Sequence, residues 1–109
     1  YIRPGQSDAE VAQMVAGVEA RVILSGHTHR PLIRRLGAKW LINPGSVGFP
    51  KDGDPRASYA LLELKEEVAV EIRRVTYDIE AMARSLLASG LPAQAAEDLR
   101  HGRRVRGGP

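Results

Sequence analysis

The chain contains no cysteine among its 109 residues. A disulfide framework and a thiolate metal site are therefore excluded, and any metal must be held by imidazole, carboxylate or amide groups. The absence fits a reducing compartment, and the cytoplasm is the expected location. Aromatic residues are scarce, at one Trp, one Phe and three Tyr, and they are not interleaved with basic positions as a base-stacking surface requires. Long apolar runs are missing too. The longest span a few residues, such as Val22 to Leu24 and Tyr59 to Leu62, far short of the about 20 that cross a bilayer, so no membrane partner is expected. The chain opens at Tyr1 with no basic stretch leading into an apolar one; no signal peptide is read, and processing or truncation upstream is expected.

What is present suits a folded protein: 43% hydrophobic and 27% charged residues are ordinary for a globular chain of one domain or part of one. The net charge of +3 owes much to the end of the chain, where Arg100, Arg103, Arg104 and Arg106 stand among few apolar residues. Residues 1–99 are expected to form the folded unit and 100–109 a solvated, disordered tail. Nucleic-acid binding through that tail is an alternative; nucleic acid is not the expected partner.

Helical and strand periods alternate along the chain. Ser7-Asp8-Ala9-Glu10 has the spacing of a capping box, and Val11, Met14, Val15 and Val18 share one helical face, predicting a helix to about Val18 with Met14 in the core. Arg21 to Ser25 reads as a strand buried on both faces. Leu32 to Leu36 and Trp40 to Asn43 read as a hairpin, and Asn43 to Pro55, rich in Pro and Gly, as a loop. Ser58 to Leu64 and Val68 to Val75 form a second strand pair. A helix opens at Asp78 with Ile79, Met82, Ala83, Leu86 and Leu87 on one stripe, and Ala93 to Leu99 suits a shorter one. The fold class is α/β.

The chemistry-bearing segment is Gly26-His27-Thr28-His29-Arg30-Pro31, at the carboxyl end of the first strand, where open α/β sheets place ligands. In an extended chain His27 and His29 face the same way, and neutral imidazole suits Zn, Mn, Fe or Ni. Two turn histidines would look the same. A second segment, Asn43-Pro44-Gly45-Ser46-Val47-Gly48, returns toward the same sheet end. Its glycines can present N–H groups to an anion, and Asn43 and Ser46 offer neutral hydrogen-bonding groups. Arg30, Lys39, Lys51 and Arg56 flank the two loops and can meet a phosphate. Asp52 and Asp54, in Asp-Gly-Asp-Pro, are read as turn residues.

Gly26 to Pro31, Asn43 to Gly48 and the run Asp52 to Ala60 together resemble the C-terminal half of small calcineurin-like metallophosphoesterases of the bacterial and archaeal phosphodiesterase type. Pro4 to Asp8 and Tyr77 to Glu80 extend the resemblance over nearly the whole chain. It implies a sandwich of two packed sheets flanked by helices and a dinuclear site of divalent ions (Mn, Zn, Fe or Ni) that hydrolyses phosphodiesters or phosphomonoesters. His27 would serve one ion and His29 the other, with Arg30, Asn43 and Ser46 touching substrate or orienting ligands.

The family's other ligands lie upstream, in Asp-x-His, Gly-Asp and Gly-Asn-His motifs that do not precede His27 here, and the catalytic acid is among them. This chain is therefore expected to be inactive alone and to hold no catalytic residue. Its expected partners are a phosphate ester and either the upstream part of the same protein or a second copy. A non-catalytic scaffold of the same fold is the alternative.

Overall fold

The computed structural model describes residues 1–105. Ser7 caps the first helix, α1 (Asp8–Met14), by accepting the Glu10 N–H at 3.2 Å, as the capping-box spacing predicts. Only Val11 and Val15 of the expected apolar face are buried. The helix ends four residues early, in a turn that runs to Gly17, so Met14 lies on its flank and is 46% exposed rather than in the core.

Three strands follow: β1 (Val22–Leu24), β2 (Leu32–Leu36) and β3 (Lys39–Asn43). They form one sheet in the order β1-β3-β2, with β1 parallel and β2 antiparallel to β3. The β2–β3 hairpin turns on Gly37, whose φ of +58° favours glycine. Leu41 faces α1 and packs with Ile2, Val11 and Val15, flanked by Ile23, Leu32 and Leu36. The expectation that β1 is buried on both faces fails. It is an edge strand, only one face meets α1, and Leu24 is 65% exposed.

The second sheet is the antiparallel ribbon β4 (Ala57–Leu64) and β5 (Val68–Val75). On β5 the less exposed Val68, Val70 and Ile72 alternate with exposed Ala69, Glu71 and Arg73, as its sequence predicts. Two ties join the sheets near β4: the Ser58 hydroxyl donates to the Pro44 carbonyl at 2.8 Å and the Ser58 N–H to the Ser46 carbonyl at 3.0 Å. Gly45 lies against this contact. With φ of +78°, a Cβ there would stand 2.7 Å from the Ser58 Oγ, so only glycine lets loop and strand approach.

Asp78 caps α2 (Ile79–Ala88) by accepting the Ala81 N–H at 3.0 Å. Ala83 is buried, with Ile79 and Leu86 packed near it, while Met82 and Leu87 of the predicted stripe stay exposed. The third helix, α3 (Ala93–His101), passes the expected boundary at 100. Its Leu99 packs with Ala83, Ala96 and Phe49, and Gly102 closes it in the left-handed conformation, its carbonyl accepting the Gly53 N–H at 2.8 Å. The Val105 N–H reaches the Asp98 carboxylate at 2.7 Å. Residues 100–105 are thus held by hydrogen bonds that composition does not reveal; the rest of the expected tail, 106–109, lies outside the described residues.

The radius of gyration is 16.5 Å, against about 13 Å for a compact domain of this length. The fold is thin and leaves apolar side chains uncovered, Leu24, Leu61 and Leu64 among them. No helix among the described residues is long and apolar enough to cross a membrane.

Candidate functional site

The loop after β1 does not run extended, contrary to expectation. His27 and His29 take φ values of +72° and +60°, and among the described residues no other non-glycine has a positive φ. Such conformations cost about 1–3 kcal/mol each and persist where the surroundings enforce them. Here the Thr28 N–H closes on the Gly26 carbonyl at 2.9 Å. Asn43, only 1% exposed at the end of β3, binds the loop from below. Its amide donates to the Gly26 carbonyl at 3.3 Å and to the Thr28 hydroxyl at 3.0 Å, while its carbonyl oxygen accepts the Gly45 N–H at 2.9 Å. That last bond occupies one of the N–H groups expected to face an anion.

Segment 46–51 grips His29 from the other side. The Ser46 hydroxyl accepts the Phe49 N–H at 2.8 Å, and the Phe49 carbonyl lies 2.8 Å from His29 Nδ1. A carbonyl only accepts, so Nδ1 carries a proton, and in the neutral ring the lone pair sits on Nε2. The His29 carbonyl in turn accepts the Lys51 N–H at 3.0 Å. The Phe49 ring packs against the α2–α3 cluster of Ala83, Ala96 and Leu99, which ties the orientation of His29 to the C-terminal helices. Sequence reading missed Phe49, because its backbone oxygen, common to every residue, does the work.

His27 is exposed and stacks on Tyr1 with ring centroids 3.9 Å apart and an interplanar angle of 15°. Beside it opens a cavity of about 540 Å³ lined by Tyr1, Arg3, Gln6, Thr28, Arg30 and Lys51 among others. Arg30 therefore meets His27 at this cavity, whereas Asn43 and Ser46 act from beneath the loops. Of the other flanking cations, Lys51 joins the cavity. Lys39 instead donates to the Val15 carbonyl and Arg56 pairs with Asp54.

Asp52 and Asp54 behave as the turn residues they were read to be. The Asp52 carboxylate caps the Asp54 N–H and pairs with Arg74. Asp54 takes hydrogen bonds from the Arg56 side chain, which chiefly hold its carboxyl at about 2, helped by the Arg56 N–H and the Arg74 charge. His101 sits at the end of α3, its Nδ1 on the Glu97 carbonyl at 2.8 Å. Among the described residues no group of three His, Cys, Asp or Glu side chains converges to hold a metal ion. His27 and His29 stand on one loop without such a group around them.

The profile of the calcineurin-like phosphoesterase superfamily domain matches residues 3–67. Phosphodiesterase YfcE of Escherichia coli K12 is 48% identical over 42 residues, covering 38% of this chain and 22% of that protein. The structure of a metallophosphoesterase from Sphaerobacter thermophilus superposes with a TM-score of 0.78 at 31% identity, over 88% of this chain and 48% of that one. A hypothetical protein of Pyrococcus horikoshii OT3 gives 0.81 at 26% identity, over 95% and 41%. The chain spans less than half the length of each.

Proposed function

Since the chain belongs to the calcineurin-like phosphoesterase superfamily, we propose that it supplies part of a metal-dependent site hydrolysing phosphodiesters or phosphomonoesters. His27 and His29 are the ligands it contributes, one to each of two divalent ions, Mn, Zn, Fe or Ni. The observation that carries this reading is the bond from His29 Nδ1 to the Phe49 carbonyl, which leaves Nε2 as the ring's ligating nitrogen, the arrangement usual for metal-binding histidines. The His27 ring makes no hydrogen bond among the described residues, and both residues hold left-handed conformations. The donor set fits such ions, with too few ligands for a complete site.

When bound, the metal supplies a water acidic enough to attack phosphorus at neutral pH and positive charge against the phosphoryl oxygens. The residues of this chain orient. Asn43 and Ser46 hold the two loops in place, and Arg30 stands at the cavity beside His27 as a partner for a phosphoryl oxygen. No side chain here is assigned the role of catalytic acid.

The remaining ligands come from the upstream part of the same protein or from a second copy. What supports a partner is an apolar cleft of about 380 Å³ between the sheets, lined by Leu24, Ile42, Pro44, Ala60 and Leu62. The Ser25 hydroxyl, which also lines the cleft, is buried with no hydrogen-bond partner. Such an atom calls for one.

The test is metal-stimulated hydrolysis of a chromogenic phosphodiester, with mass by light scattering on the same sample. The 109-residue chain should show no turnover as a monomer, while protein carrying the upstream motifs turns over and loses activity on His27→Ala or His29→Ala. Robust turnover by the 109-residue monomer would refute this reading.

A further inference from the structure

Arg103 and Arg104, in the stretch whose composition suggests a solvated tail, stand beside the His27 loop. Gly102 fixes them there. Its φ is +63°, and a Cβ on it would lie 2.4 Å from the Asp54 carbonyl carbon, so backbone presses on backbone. With the Gly53 N–H bonded to the Gly102 carbonyl and the Arg103 N–H to the Asp98 carbonyl at 3.2 Å, the chain leaves α3 directly over the 51–54 turn.

A second cavity, of about 380 Å³, results. Arg30, Lys51, Arg103 and Arg104 line it with Asp52 and Gly53. Arg30 and Lys51 also line the cavity beside His27, so the two adjoin through shared cations. Together they gather five basic side chains: Arg3, Arg30, Lys51, Arg103 and Arg104. None of the five forms an ion pair among the described residues. The carboxylates nearby are already engaged. Asp52 pairs with Arg74. Asp98 accepts the Val105 N–H and the Gln94 amide, bonds that, with the charges of Arg104 and Lys51, lower its pKa.

Five cations without an ion pair among the described residues, around two adjoining cavities, exceed what a single phosphoryl group can neutralise. We infer that the ligand is an anion with two or more phosphoryl groups in a row, one beside His27 and the next between Lys51 and Arg103–Arg104. Linear polyphosphate and nucleoside polyphosphates share this chemistry. The inference rests on the phosphoesterase reading for its site, but its charge argument needs no metal.

The experiment is calorimetric titration of the 109-residue chain in EDTA at pH 7 with orthophosphate, tripolyphosphate and ATP. Tripolyphosphate should bind at least about tenfold more tightly than orthophosphate, the extra charge-assisted hydrogen bonds supplying the difference. Arg103→Ala/Arg104→Ala should remove most of that advantage and leave orthophosphate unchanged, with an unaltered thermal melt confirming the fold, since both side chains are exposed. Arg3→Ala should weaken both ligands. ATP equal to tripolyphosphate identifies the phosphate chain as the element recognised; ATP much tighter identifies a nucleoside polyphosphate. Equal affinities for orthophosphate and tripolyphosphate would overturn the inference, as would an advantage that survives the double substitution. A single-stranded oligonucleotide that outcompetes tripolyphosphate through Arg103 and Arg104 would overturn it in favour of nucleic acid. Because metal is absent throughout, failure here leaves the His27 and His29 assignment standing, and failure of that assignment leaves this result readable.

Discussion

The Phe49 carbonyl oxygen lies 2.8 Å from His29 Nδ1 while the Phe49 ring packs among Ala83, Ala96 and Leu99. One residue thus transmits the packing of α2 and α3 to the orientation of an imidazole. Phe49→Ala should destabilise the chain by about 2–3 kcal/mol, somewhat below the usual cost of emptying a full phenylalanine site because the ring is half-buried. It should also weaken metal binding by about tenfold. Ser46→Ala, which frees the Phe49 N–H, should cost about 1 kcal/mol and shift metal affinity in the same direction. Urea unfolding and competitive metal titration measure the two effects. Loss of stability with unchanged affinity would break the proposed link.

Asn43 is buried and satisfies groups on both loops. Replacing it by Ala strands the Gly45 N–H and leaves the Thr28 hydroxyl only the Arg30 N–H as partner, so a loss of about 1–3 kcal/mol is expected in urea unfolding. Asn43→Asp should be worse than its size suggests, because the carboxylate cannot donate to the Gly26 carbonyl. A change below half a kcal/mol for Asn43→Ala would show that the loops hold themselves.

Gly102 and Gly90 make a matched pair. Both have positive φ, but a Cβ at Gly90 meets nothing within 4 Å, whereas at Gly102 it collides with the Asp54–Pro55 backbone. Gly90→Ala should cost about 1 kcal/mol from φ alone, and Gly102→Ala about 2 kcal/mol or more. In thermal melts the second should fall by about 10 °C. Equal losses would mean that the segment after α3 is not docked on the 51–54 turn.

Acid stability should carry the mark of Asp54. Its carboxyl is held at about 2, below the ordinary 3.8, chiefly by hydrogen bonds from the Arg56 side chain. A lowered folded-state value contributes stability that is complete above about pH 4 and is lost as pH falls through about 2. Asp54→Asn should therefore flatten the stability curve between pH 4 and 2 and change little at pH 1.5, as measured by urea unfolding across that range. An unaltered slope would rule out the Arg56 contact as its source.

Where the signal was local, the sequence was readable. Ser7 and Asp78 announce their helices because an N-cap acts within three residues. Val68 to Val75 shows its two faces by alternation alone. Met14 and Leu24 were misjudged because burial depends on what lies opposite, and at the edge of this sheet little does. The motif around His27 and His29 marks the loop, but not its left-handed turns, which Asn43 enforces from another strand. The role of Phe49 and the docking of Gly102 are backbone contacts between distant segments, which leave only a faint trace in residue type.

The central claim, that His27 and His29 are this chain's metal ligands, is tested most directly by paramagnetic broadening. Mn²⁺ is titrated into the isotopically labelled 109-residue chain while amide and imidazole resonances are followed. The account predicts weak binding, with the earliest and strongest broadening at the His27 and His29 rings and their loop, abolished in the His27→Ala/His29→Ala variant. Broadening centred on Asp52 and Asp54 or on His101, unaffected by that double substitution, would contradict it.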